Sequence, residues 1–151
     1  NLHEGVMWGW RTLSPEPPYT EGRPYSDPQN RKIIVLMTDG ANDIIGLPNM
    51  NGSFCSPYGY AAAGRLATTS SNKADLVAKM NEKTLQACAN AKANGIQIYT
   101  VAFYVTNATA LSILSQCATS PAMALVADSD QALTNAFDEI GNHISRLRLI
   151  N

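Results

Sequence analysis

The stretch Ile33-Ile34-Val35-Leu36-Met37-Thr38-Asp39-Gly40 decides how this chain folds. Five apolar residues follow one another without a polar break, entered from Arg31 and Lys32 and left through Thr38, Asp39 and Gly40. Such a run predicts a strand covered on both faces, as in a parallel sheet flanked by helices. In open parallel sheets, ligands sit beyond the carboxyl ends of the strands, so Asp39 is placed to hold its carboxylate over that crevice. A hard divalent cation takes oxygen ligands of this kind. One aspartate is not a site, and taken alone Asp39 and Gly40 read more simply as the turn leaving the strand.

Upstream, Leu2, Val6, Trp10 and Leu13 recur three or four apart, as on one face of a helix. Pro15, Pro17, Pro18, Pro24 and Pro28 then make Ser14 to Asn30 an extended connection, since proline fixes φ and has no amide to donate. Downstream, residues 41 to 72 are rich in Asn, Gly, Ser and Pro and read as an insertion with a short helix around Tyr60 to Leu66. A helix is expected from Asn72, capping the amide of Asp75, to Gly95, with Val77, Met80, Thr84, Cys88 and Ala91 facing inward. A strand over Ile96 to Val105, a helix over Ala110 to Cys117 and a strand over Ala122 to Ala127 follow. The last helix, Ser129 to Arg148, sets Leu133, Ala136, Phe137, Ile140, Ile144 and Leu147 on one face. Strands alternating with helices imply right-handed crossovers and a doubly wound α/β fold.

The bulk properties narrow the function. The 151 residues suffice for one ordinary domain, and 45% hydrophobic with 15% charged residues is a globular composition. Eleven Lys and Arg against twelve Asp and Glu leave a formal charge of -1, which provides no basic face for nucleic acid or acidic lipid. No run approaches the roughly 20 apolar residues of a membrane span, and no signal segment opens the chain. The sequence contains no nucleophile elbow, phosphate-binding loop, dinucleotide fingerprint or C-x-x-C pair. His3 and His143 stand in no ligand or triad spacing, and His143 reads as a surface residue favoured by a helix C-terminus. Gly5 and Gly9, four apart, allow another backbone to come close. Asn51 and Asn107 begin short glycosylation-type tripeptides that chance explains. Cys88 and Cys117 fall on helices expected side by side, so they are either a disulfide or two buried thiols. Cys55 has no evident partner.

Several blocks together resemble a known family. Glu4-Gly5, Trp8-Gly9-Trp10-Arg11, Leu13-Ser14-Pro15, Lys32 to Asn42 (KIIVLMTDGAN), Gly95 to Val101, Leu114 to Cys117, Ala136-Phe137, Ile140-Gly141 and Leu147-Arg148-Leu149 resemble the von Willebrand factor A-like domain of TadG-type pilus-assembly proteins. The resemblance implies a Rossmann-like sheet of order 3-2-1-4-5-6, of which this chain supplies strands 4, 5 and 6, residues 1 to 151 being the C-terminal half of one domain with its insertion at about 41 to 72. It implies a bacterial envelope protein, periplasmic or at the cell surface, held to the membrane only by an anchor outside this chain. That oxidising setting favours the Cys88–Cys117 disulfide. Of the metal-ion-dependent adhesion site, only Asp39 carries over, as the aspartate of the third motif, so a Mg²⁺ or similar site is incomplete here. The D-x-S-x-S motif of the first strand lies outside the chain.

The expected function is therefore a non-enzymatic adhesion or protein-interaction module in tight-adherence pilus assembly. Its partners are the missing N-terminal half of the domain, a pilus component or an adhesion ligand, contacted around Asp39 and by Phe54, Tyr58 and Tyr60 of the insertion. Those aromatics serve equally well to pin the insertion to its own domain. Two alternatives stand beside it: a metal-assisted hydrolase acting at Asp39, and a scaffold whose metal site is vestigial. A parallel strand at 33–37 without its first-strand neighbour leaves backbone groups unpaired, a liability that calls for a covering partner.

Overall fold

The computed structural model describes residues 1–44 and 52–148. Its helices are α1 (Leu2–Leu13), α2 (Lys73–Ala93), α3 (Ala108–Cys117) and α4 (Asp130–Arg148). Its strands are β1 (Ile33–Thr38), β2 (Cys55–Ser56), β3 (Gly59–Tyr60), β4 (Gln97–Phe103) and β5 (Ala124–Ala127). Parallel pairing in the order β1-β4-β5 makes a three-stranded sheet with helices on both faces. The short β2-β3 hairpin belongs to the insertion, where a 3-10 turn at Ala61–Ala63 takes the place of the expected helix from Tyr60 to Leu66.

Partners in parallel register project to the same face, so the pairs Ile34 with Ile98 and Leu36 with Thr100 define one side of the sheet. There Ile34, Leu36, Ile98 and Ala102 pack with Leu2 and Val6 of α1, Cys88 and Ala91 of α2, and Ile113, Leu114 and Cys117 of α3. On the other side Tyr99, Val101 and Ala127 pack with Ala136 and Ile140 of α4. Of the α4 stripe read from the sequence, Leu133 and Ile144 are partly buried and Phe137 is exposed, while the side chain of Leu147 lies outside the described residues.

The decisive run behaves differently from its reading. Burial of β1 alternates: Ile34 and Leu36 are each 6% exposed, but Val35 is 39% and Met37 45% exposed. These two stand beside Tyr99 and Val101 on the α4 side, and α4 lies over β4 and β5. An uninterrupted apolar run is thus half-covered, because α4 lies over β4 and β5 and, of the β1 residues on that side, Ile33 packs against its cluster while Val35 and Met37 stay exposed. Covering Val35 and Met37 is worth on the order of 1 to 2 kcal/mol each. The carbonyl of Lys32 accepts from the amide of Gln97. Backbone groups alternate sides along a strand, so those of Ile34 and Leu36 point toward β4 and those of Ile33, Val35 and Met37 point away from it. Among the described residues no strand pairs with that outer edge.

Gly5 and Gly9 bring α1 onto β1, the first facing Leu36 and the second facing Ile34. The proline-rich connection is fastened by Lys32, whose buried ammonium donates to the carbonyls of Leu13 and Arg23 and lies over the ring of Tyr25. In α2, Asn72 caps the helix through the amide of Ala74 rather than that of Asp75. Gly95 takes the left-handed conformation (φ +76) just beyond its end. The inner stripe holds Met80, Thr84, Cys88 and Ala91 as expected, but Leu76 is buried where Val77 was expected, because Leu76 meets Ile44, Phe54 and Leu66 of the insertion. Cys88 and Cys117 form a disulfide between α2 and α3, with Cα atoms 5.1 Å apart.

Candidate functional site

The carboxyl end of β1 delivers Thr38, Asp39 and Gly40 to the crevice expected from the sheet. The Thr38 hydroxyl donates to the carbonyl of Gly40 at 2.9 Å and accepts from its amide at 3.2 Å, tying the turn. Asp39 between them is exposed, and among the described residues its carboxylate has no hydrogen-bond or ion-pair partner. No three His, Cys, Asp or Glu side chains gather to hold a metal ion among the described residues. A lone carboxylate does not meet the demand of Mg²⁺ or Ca²⁺ for about six or more oxygens, so these residues do not by themselves fit a cation.

Two positions further on sits the residue that organises this end of the molecule. Asn42 is 3% exposed. Its carboxamide oxygen accepts from the amide of Leu2 at 2.7 Å, at the start of α1. Its nitrogen donates to Asn81 Oδ1 at 2.9 Å and to Thr84 Oγ1 at 3.1 Å, both on α2. Thr84 in turn donates to the Met80 carbonyl at 2.8 Å. One buried carboxamide thus joins the β1 exit, α1 and α2. The sequence places Asn42 only at the end of the KIIVLMTDGAN block, and its partners lie about forty residues away on either side. Its single signal was an amide residue following directly on the strand exit.

Beside it opens a cleft of about 950 Å³ between the N-terminal halves of α2 and α3. Val77, Ala78 and Asn81 form one wall, Ala110 and Ile113 the other, with Asn42 at its base. At the rim, Lys73 pairs with Asp43 at 2.9 Å and holds that carboxyl below the usual range. α3 begins at Asn107, whose Oδ1 accepts from Ala110 N at 2.9 Å.

The three aromatics of the insertion have different fates. Phe54 is buried at 7% exposure among Ile44, Leu66, Leu76 and Met80, which pins the insertion to α2. Tyr58 is half-buried, its hydroxyl 2.7 Å from His3 Nδ1. Burial raises the Tyr58 pKa and lowers that of His3. Only Tyr60, 43% exposed, offers its ring to solvent. Asn51 lies outside the described residues. Cys55 is a free, exposed thiol on the hairpin. On the α4 side, His143 is exposed, as read from the sequence, and its Nδ1 also lies 2.6 Å from the hydroxyl of the buried Tyr99.

Among the described residues no helix is long and apolar enough to cross a membrane. No protein-family model, curated protein or solved structure matches the chain.

Proposed function

We propose that this chain is the C-terminal half of a von Willebrand factor A-like domain of a TadG-type pilus-assembly protein, acting in the bacterial envelope as a non-enzymatic protein-interaction and adhesion module. The observation that carries the reading is the state of β1. Among the described residues it is a sheet edge that pairs only with β4, and its residues Val35 and Met37 are 39% and 45% exposed beyond the reach of α4, which lies over β4 and β5. In the proposed domain the first strand lies along that edge, and the rest of the missing half covers the face. The strand order β1-β4-β5, with a helix in each crossover, supports strands 4, 5 and 6 of such a sheet. The disulfide is compatible with an oxidising compartment outside the cytoplasm. Asp39 then supplies one ligand, through water, to a divalent cation whose other ligands come from the missing half.

Sedimentation and hydrogen exchange of the isolated chain test this. We expect self-association, or unfolding of low cooperativity, with rapid exchange of the Val35 and Met37 amides wherever the chain stays monomeric. A soluble monomer that unfolds in one cooperative step with those amides protected contradicts the proposal, since its edge then needs no neighbour. With the missing half supplied, Mg²⁺ titration by calorimetry, using Asp39→Ala as control, separates a cation-dependent module from a scaffold.

A further inference from the structure

We propose that β1 is a self-complementary edge through which two copies of this chain pair antiparallel about a twofold axis at Val35, merging their sheets into one. This rests on the open edge of the interaction-module reading above, and it names the occupant and register which that edge selects in the chain as it stands. A strand of the missing half takes the same edge, so the two occupants exclude one another.

Amides and carbonyls of Ile33, Val35 and Met37 point away from β4, and among the described residues no strand meets them. In an antiparallel pair, residues that exchange both backbone hydrogen bonds stand directly opposite one another. Odd-numbered positions of one copy therefore face odd-numbered positions of the other, which leaves few registers. With Val35 opposite Val35 of the second copy, Ile33 meets Met37 and Arg31 meets Asp39 at both ends, as twofold symmetry requires. All three outward-pointing residues then bond, giving about six hydrogen bonds between the copies. A shift of two positions either way sets Arg31 against Met37 or Asp39 against Ile33, and it loses a bonded pair. Arg31 and Asp39 are both exposed, and among the described residues neither has an ion-pair partner. Charge thus selects the same register as hydrogen bonding.

Side chains on both faces favour the same partner. Directly opposite residues of an antiparallel pair project to one side, so the exposed Val35 and Met37 meet Val35 and Ile33 of the copy on the α4 side. On the other side, Gly5 and Gly9 of α1 face β1. At about 100° per residue, Trp8 lies about 60° and 100° round the helix from them, opposite in sense to the fully buried Val6. α2 packs against α1, so the exposed flank that carries Trp8 is the one over the open edge. Tyr19, also exposed, has its ring centroid 6.0 Å from that of Trp8. Large apolar side chains therefore flank the edge on both faces, and a second copy covers both sets at once. β1 also lacks the devices that keep an edge from pairing, having no proline and no charge from Ile33 to Thr38. At the other edge, β5 is four residues long and runs into Asp128 and Asp130.

The test is sedimentation of the chain and of three variants at low salt. We expect a dimer for the parent. Arg31→Asp and Asp39→Arg, each at an exposed position, set like charges opposite one another at both ends of the pair and should each weaken dimerisation about tenfold. Mixing the two variants restores an arginine–aspartate pair at each end, so the mixture should associate as tightly as the parent. Val35→Lys brings two ammonium groups together at the axis and should give a monomer whose circular dichroism matches that of the parent. The proposal is overturned by a dimer or larger assembly that Val35→Lys leaves intact, by charge variants that associate as the parent does, or by a mixture no tighter than its components. A monomeric parent with rapid exchange of the Val35 and Met37 amides also overturns it, while leaving the interaction-module reading in place.

Discussion

Replacing Asn42 by alanine tests how this end of the molecule is held. The substitution deletes three hydrogen bonds, to the Leu2 amide, Asn81 Oδ1 and Thr84 Oγ1. At roughly 0.5 to 1.5 kcal/mol each, these give a loss of about 2 to 4 kcal/mol. The upper part of that range is expected, because the Leu2 amide is left without its acceptor against a buried residue, whereas half-buried Asn81 can turn to water. Against the total of about 5 to 15 kcal/mol typical of a domain, this is a large fraction. It corresponds to a melting temperature lowered by about 4 to 16 °C for a chain of this size. Urea unfolding followed by circular dichroism reads the loss, and hydrogen exchange at Leu2 localises it to the start of α1. Asn42→Asp keeps an acceptor for Leu2 but places a carboxylate at a site 3% exposed. Burial raises the pKa of such a carboxyl, so the unfolded chain releases its proton first and stability falls as pH rises above the ordinary carboxyl range. A loss below about 1 kcal/mol for Asn42→Ala, with α1 amides as protected as before, would refute the view that this carboxamide couples β1, α1 and α2.

Other consequences follow from the cross-link and from the His3–Tyr58 pair. Cys88 and Cys117 are separated by 29 positions, and the chain-entropy relation gives about 3.6 kcal/mol for closing that loop. Reduction should therefore lower the melting temperature by about 7 to 14 °C, whereas exposed Cys55→Ser should leave it nearly unchanged. Identical urea midpoints with and without reductant would speak against a stabilising bridge. His3 has its pKa lowered, chiefly by burial, so the unfolded chain takes up a proton at a pH where the folded chain does not. Stability should decline as pH falls from the ordinary histidine range through the lowered value, and His3→Gln should flatten that decline. At the alkaline end the sign reverses. Tyr58 has a raised pKa, as has buried Tyr99, so the unfolded chain ionises first and stability should fall as pH rises past the ordinary tyrosine value, a fall that Tyr58→Phe reduces. A denaturation midpoint constant across both limbs would show that the contact between α1 and the insertion contributes nothing.

Much of the architecture is legible in one dimension because its signals are local. The run Ile33 to Met37, the proline-rich connection, the cap at Asn72, the stop at Gly95 and the order of strands and helices all rest on propensity and periodicity within a few residues, and they suffice for a parallel α/β sheet. Crossover handedness then brought the helices of Cys88 and Cys117 together, and the disulfide joins them. Other features arise only where distant segments meet. Leu76 replaces Val77 in the core because Phe54 and Leu66 arrive from the insertion. Phe54 is buried by the same packing, and His143 reaches Tyr99 across the groove between helix and sheet. Asn42 gains its importance from partners at positions 2, 81 and 84, a relation no local window contains. The half-exposure of β1 has the same origin: apolar composition states what a strand can bury, and the neighbours present in space decide what it does bury. Composition and periodicity therefore determined which elements form and in what order. The tertiary structure decided which faces are covered and which polar groups are satisfied, because burial and hydrogen bonding depend on contacts made across the fold rather than along the chain.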